Sequence, residues 1–122
     1  MAGAETKITH ICMVAASKIG AVVFKNVRGM FLTPDGSRKV QAGLQIRGSS
    51  DLIGWKAIEI TPEMVGTKVA VFVAIEVKTA TGRIRSEQRI FIENVLKAGG
   101  IAGVARCEKD VHLVLDMWHE VH

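Results

Sequence analysis

Glu76 and Lys78 are the residues of this chain whose types and spacing lend themselves most directly to chemistry. They close the apolar stretch VAVFVAIEVK, from Val69 to Lys78. Seven apolar residues, many β-branched, read as a strand buried on both faces. Side chains alternate along a strand, so Glu76 and Lys78 point to one side and Val77 to the other. A carboxylate and an ammonium at the end of a central strand are costly to bury unless they pair or meet a metal. On this stretch alone, an ion pair at a strand end and a reactive pair are both open readings.

Three more polar side chains lie at element ends along apolar faces: Glu5, Asp51 and Gln88. Each has a plain structural reading. Glu5 suits the first turn of a helix, where the dipole favours a carboxylate. Asp51 suits a turn cap at a strand start, since Asp is depleted inside strands. Gln88 suits a hydrogen bond to a strand-end backbone group. If these ends converge, carboxylates without a cation repel one another. With Mg2+ or Mn2+ they form a hard oxygen site, completed by water and substrate phosphate. A nearby lysine can hold the attacking water or offset charge on a pentavalent phosphorane.

The elements that must position these groups are legible in outline. Ile8, Ile11, Cys12, Ala15, Ala16 and Ile19 follow helical spacing, which predicts a helix over 5–19 ending at Gly20. AVVFKNV, 21–27, is a strand, and MFLT continues extended after a bend at Asn26 and Gly29. TPDGSR, 33–38, is a turn, and 39–50 reads as a loop. A strand starts at Asp51. Thr61–Pro62 opens a short helical turn. Ser86 is placed to cap a helix from 87 to about 98, with Phe91, Ile92 and Val95 as its buried stripe and Gly99–Gly100 as its stop. IAGVA, 101–105, is a short strand, so 69–105 reads as a crossover between parallel strands. A last helix spans 108–120, with Val111, Val114, Leu115, Trp118 and Val121 on one face. His112, His119 and His122 share this region at spacings that match no HExxH or finger pattern.

Composition excludes several classes. The chain has 122 residues, 48% of them hydrophobic, which is enough for one core. Its longest apolar run is far short of the ~20 residues that span a bilayer. The opening MAGAETKITH lacks a signal-peptide pattern, so a cytoplasmic protein is expected. Cys12 and Cys107 have no metal-ligand spacing and read as free thiols. The net charge of +4 is compatible with a polyanionic partner. With no tyrosine and 5% aromatic residues, a base-stacking single-strand binder is disfavoured. No nucleophile–base pair and no Walker or dinucleotide glycine loop is present.

The segments GSSDLIG at 48–54, AIEVKTATGRIRSEQRIFI at 74–92 and AGGIAGVAR at 98–106 carry a family resemblance. Glu5 and FKNVRGM, 24–30, match the opening helix and first strand. The sequence resembles the PD-(D/E)XK nuclease superfamily and, more closely, the virus-type replication-repair nuclease (VRR-NUC) domain. One departure is Ser50, where the superfamily motif has proline.

The resemblance implies an α/β fold with a restriction-endonuclease-like αβββαβ core. A mixed central sheet would be flanked by helices, with a C-terminal helix added, as one domain over 1–122. It implies Asp51, Glu76 and the Val77 carbonyl as ligands of Mg2+ or Mn2+, with Glu5 on the metal or its water. Lys78 would be the catalytic lysine, and Gln88 would orient the site. Lys25, Arg28, Arg38, Lys39, Arg47, Arg83, Arg85 and Arg106 become candidates for phosphate contacts. The expected activity is structure-selective DNA endonuclease hydrolysis of phosphodiester bonds, resolving four-way Holliday junctions as a homodimer. The expected setting is cytoplasmic and nucleic-acid associated, of a bacterial or phage-encoded type. Rival readings are a partner-dependent flap or duplex-end nuclease and a non-catalytic nucleic-acid-binding module.

Overall fold

In the computed structural model, the backbone of residues 2–121 and the side chains of residues 3–117 are described. The side chains of Trp118, His119 and Val121, and the whole of His122, lie outside them. The chain divides into two compact units, Met1–Lys56 and Ala57–His122. No helix among the described residues is long and apolar enough to cross a membrane.

The first unit opens with α1, Ala2–Lys18, and β1, Ala21–Lys25. β2 (Gly29–Leu32), β3 (Lys39–Ala42) and β4 (Leu52–Lys56) follow. β1 pairs antiparallel with β4, from Ala21↔Lys56 to Lys25↔Leu52. On this ladder the Phe24 and Trp55 rings meet at 5.5 Å, tilted by 59°, a diagonal cross-strand pair. α1 rests on β1.

The face α1 turns inward differs from the expected stripe. Thr9, Met13 and Ala16 are half-buried, at i, i+4 and i+7. Ile8, Ile11 and Ile19 are 61%, 64% and 67% exposed. A five-residue strand can cover only a narrow row of a helix.

β2 and β3 form a hairpin with Leu32↔Lys39 next to the turn. Residues 39–42 are thus a strand and not part of a loop. The turn is built on Asp35, whose Oδ1 accepts from Thr33 Oγ1 at 2.6 Å, Ser37 N at 3.0 Å and Ser37 Oγ at 2.8 Å. These bonds favour the ionised form and pull its pKa from 3.8 to about 2.

The second unit contains a 3-10 turn (Pro62–Met64), then β5 (Val73–Val77), α2 (Ser86–Lys97), β6 (Ile101–Ala105) and α3 (Glu108–Val121). β5 and β6 are parallel, in register from Val73↔Ile101 to Val77↔Ala105. α2 makes the crossover, and α3 lies against β6 and β5. The core of this unit is Val95, Ala102, Ala105 and Val114, all buried.

β5 starts four residues later than the apolar run, because β6 offers only five partners. Phe72 O still accepts from Ile101 N at 2.8 Å, and beyond it the ladder ends. The order differs from the expected αβββαβ core by the extra strands before α2, β3 among them, and the sheet differs too. The described strands pair as three separate two-stranded ladders, β1–β4, β2–β3 and β5–β6, where one mixed central sheet was expected. β2 and β3 pair through their own hairpin, β5 and β6 through the α2 crossover, and β1 and β4 across the segment 26–51 that joins them.

Candidate active site

The end of β5 carries the expected pair. Glu76 and Lys78 lie on one side of the strand, with Lys78 Nζ 3.6 Å from Glu76 Oε1. Their side chains are 31% and 18% exposed, and Val77, facing the other way, is 76% exposed. Lys78 N donates to Ala105 O at 3.1 Å, so the β5–β6 ladder continues through it. The lysine backbone is therefore held by sheet pairing.

Gln88 completes the cluster from α2. Its Nε2 donates to Glu76 Oε1 at 2.8 Å, and its Oε1 accepts the Arg85 N–H at 2.9 Å. Gln88, Ile92 and Val95 make the row of α2 that turns inward, whereas Phe91, expected there, is 39% exposed. Arg85, not Ser86, occupies the helix cap, and the third helical residue reaches back to its N–H. The same glutamine thus ends the loop and braces the carboxylate. Glu76 and Gln88 also line a cleft of about 340 Å3 with Ala74, Ile75, Glu87, Phe91 and Ile92.

The loop after Lys78 is tied at both ends. Gly82 N donates to Thr79 O at 3.2 Å, closing a turn. Arg106 Nη1 donates to the carbonyls of that turn, Thr79 O at 2.6 Å and Gly82 O at 2.7 Å. Its own N–H donates to Asp110 Oδ2 at 2.9 Å. The guanidinium expected to meet phosphate is thus a clamp on the loop that bears Arg83 and Arg85.

Glu5 and Asp51 belong to the first unit. Glu5 is exposed in the first turn of α1, where its backbone carbonyl accepts from Thr9 Oγ1 at 2.9 Å. Asp51 is exposed and immediately precedes β4. Its carbonyl accepts from Asn26 N at 2.8 Å. In the sequence Asn26 marks only a bend. Its side chain bonds Ser49, Ser50 and Leu44, contacts 18 to 24 residues away that no local pattern signals. Arg28 Nη1 donates to Ile46 O. Lys25, Arg47 and Arg83 are exposed. Within neither unit do three or more described His, Cys, Asp or Glu side chains cluster.

Together these features define a mixed α/β protein of helices and short sheets, with a carboxylate, an ammonium and an amide gathered at the end of a strand that a crossover helix buttresses. The chain belongs to the VRR-NUC domain family, whose model matches residues 39–109. Membership makes it a nuclease domain, with DNA as the implied substrate. The matched stretch includes Asp51, Glu76, Lys78 and Gln88, and Glu5 precedes it. No curated protein and no solved structure matches the chain.

Proposed function

We propose that the chain is a Mg2+- or Mn2+-dependent, structure-selective DNA endonuclease that hydrolyses phosphodiester bonds at four-way junctions as a homodimer. The observation that carries this reading is the Gln88–Glu76–Lys78 contact at the end of β5, inside the family stretch. That stretch runs across the boundary between the two units, so both are taken as parts of one nuclease domain.

The donor set suits a hard divalent cation: the Asp51 and Glu76 carboxylates, the Val77 carbonyl, and Glu5 as a further carboxylate. When bound, such an ion polarises a phosphoryl oxygen and activates a water. The protein's own groups do the rest. Lys78 offsets negative charge as it develops on the phosphoryl group. Gln88 holds Glu76 in one orientation. Lys25, Arg47, Arg83 and Arg85 contact phosphates, giving binding that depends on shape and salt more than on base sequence. A two-fold dimer supplies one site for each cleaved strand. The setting is cytoplasmic and nucleic-acid associated.

The test is cleavage of an immobile four-way junction by the purified chain, with and without Mg2+, beside a gel-filtration mass. Cleavage only with the ion, by a species of dimer mass, is expected. Asp51→Asn, Glu76→Ala and Lys78→Ala should each abolish cleavage and keep junction binding. Normal cleavage by Asp51→Asn in Mg2+ defeats the metal-site reading. Cleavage confined to flaps, and only with a helicase added, defeats the junction reading.

A further inference from the structure

Residues 43–50 lead into Asp51 without a helix or strand of their own. Such a segment presents its last carboxylate in a defined direction only if something else holds it. Asn26, the residue after β1, does so. Its Oδ1 accepts the Leu44 N–H at 2.8 Å, at the start of the segment. Its Nδ2 donates to Ser49 Oγ and to Ser50 O, each at 2.9 Å, at the other end. Its backbone N–H donates to Asp51 O at 2.8 Å, extending the β1–β4 ladder by one pair.

An asparagine that merely ended a strand would need one of these four bonds. Here the whole amide is used, and three of the four bonds go to Ser49, Ser50 and Asp51. Ser50 carries no ring to restrict the chain before Asp51, so its carbonyl is held from outside. Gly43 supplies a second, independent observation. It sits at φ +77°, and a Cβ there would lie 2.6 Å from Val27 O and 2.9 Å from Asn26 Oδ1. Only glycine lets the segment approach Asn26 this closely. Arg28 Nη1 grips the middle of the same segment at Ile46 O.

We propose that Asn26 is the positioning residue for Asp51. Its amide sets the backbone of Ser49–Asp51, and thereby the direction in which the Asp51 carboxylate meets a divalent cation. The proposal rests on the metal role assigned to Asp51 above.

The experiment measures Mn2+ binding to the full chain by paramagnetic relaxation, with amide spectra of the metal-free protein and with cleavage as a function of Mn2+. Asn26→Ala should shift the Leu44, Ser49, Ser50 and Asp51 amides. It should weaken Mn2+ binding by about tenfold to a hundredfold, as loss of an outer support does. Half-saturating Mn2+ for cleavage should rise by the same factor, and saturating Mn2+ should restore the rate. Ser49→Ala, which removes one of the four bonds, should move affinity the same way by less, and it decides the matter if Asn26→Ala does not fold. Unchanged Mn2+ affinity in the folded variants, or a cleavage loss that saturating Mn2+ does not restore, overturns the positioning role. Asp51→Asn is the control. If it leaves Mn2+ affinity unchanged, the metal role of Asp51 fails and this proposal with it. If it loses Mn2+ while Asn26→Ala and Ser49→Ala keep it, the positioning role alone fails.

Discussion

Gln88 and Glu76 stand twelve residues apart in the chain and are joined by a 2.8 Å hydrogen bond from amide to carboxylate. The other end of the same amide accepts the Arg85 N–H. The glutamine is held from its own helix cap while it braces the acid at the strand end. Gln88→Ala should therefore leave α2 formed but let Glu76 rotate, lowering cleavage by about tenfold to a hundredfold. Gln88→Glu should do worse, since it sets a second carboxylate against Glu76. Single-turnover cleavage, with circular dichroism for helix content, checks both. Full activity in Gln88→Glu would show that the bond has no bearing on cleavage.

The basic residues divide by what their side chains do. Arg28 and Arg106 hold backbone carbonyls, at Ile46 and at Thr79 and Gly82. Lys25, Arg47 and Arg83 are exposed. For a residue that neutralises one phosphate, substitution should flatten the slope of log affinity against log salt by about 0.9. Arg83→Gln and Arg47→Gln should each show that loss. Arg106→Gln should change the slope less and raise hydrogen exchange at the Gly82 amide. Junction binding at several salt concentrations separates the two groups.

The turn at Asp35 carries a pH dependence whose sign is fixed. The folded pKa, about 2, lies below the ordinary 3.8, because Thr33 and Ser37 donate to the carboxylate. The group's contribution is present above the unfolded value and is lost as pH falls through the folded one. The hairpin turn should thus persist through pH 4 and loosen only near pH 2. A titration of the Ser37 amide should show a midpoint near 2, and Thr33→Ala should move it up towards 3.8.

Gly103 sets how closely α3 lies on β6. A Cβ at this position would come 2.8 Å from Val114 Cγ2, and Val114 is 6% exposed. Gly103→Ala should cost about 1–3 kcal/mol through overpacking. Val114→Ala should also destabilise, by leaving a void. The pair should be less harmful than the sum, because the smaller residue at 114 makes room for the methyl. Urea denaturation of the two single variants and the double variant gives the coupling, and strict additivity would contradict the contact.

How much of the fold is legible depends on the range of the interaction that decides each element. α2 falls within a residue of its expected start and stops at Gly99–Gly100 as local signals predict, although Arg85 and not Ser86 takes the cap and Phe91 leaves the inward row. β3 is not legible. KVQA is short and polar, and only pairing with β2 makes it a strand. The start of β5 is set by the length of β6, some thirty residues on, not by where its own apolar run begins. The inward face of α1 is misjudged because several rows of the helix are apolar, and β1 alone selects among them.

The site divides the same way. Sequence by itself determined that Glu76 and Lys78 share a face, since strand geometry alternates side chains whatever the strand packs on. It also determined that Gln88 lies on the inward row of the crossover helix, since helical spacing places it there. Only the tertiary structure decided that Gln88 meets Glu76 and not a strand-end backbone group. It alone turned Arg106 onto the Thr79–Gly82 carbonyls, and it alone made Asn26 the anchor of the residues before Asp51. Those choices depend on hydrogen bonds across 12 to 27 residues, and a bond of that reach leaves no period in the chain.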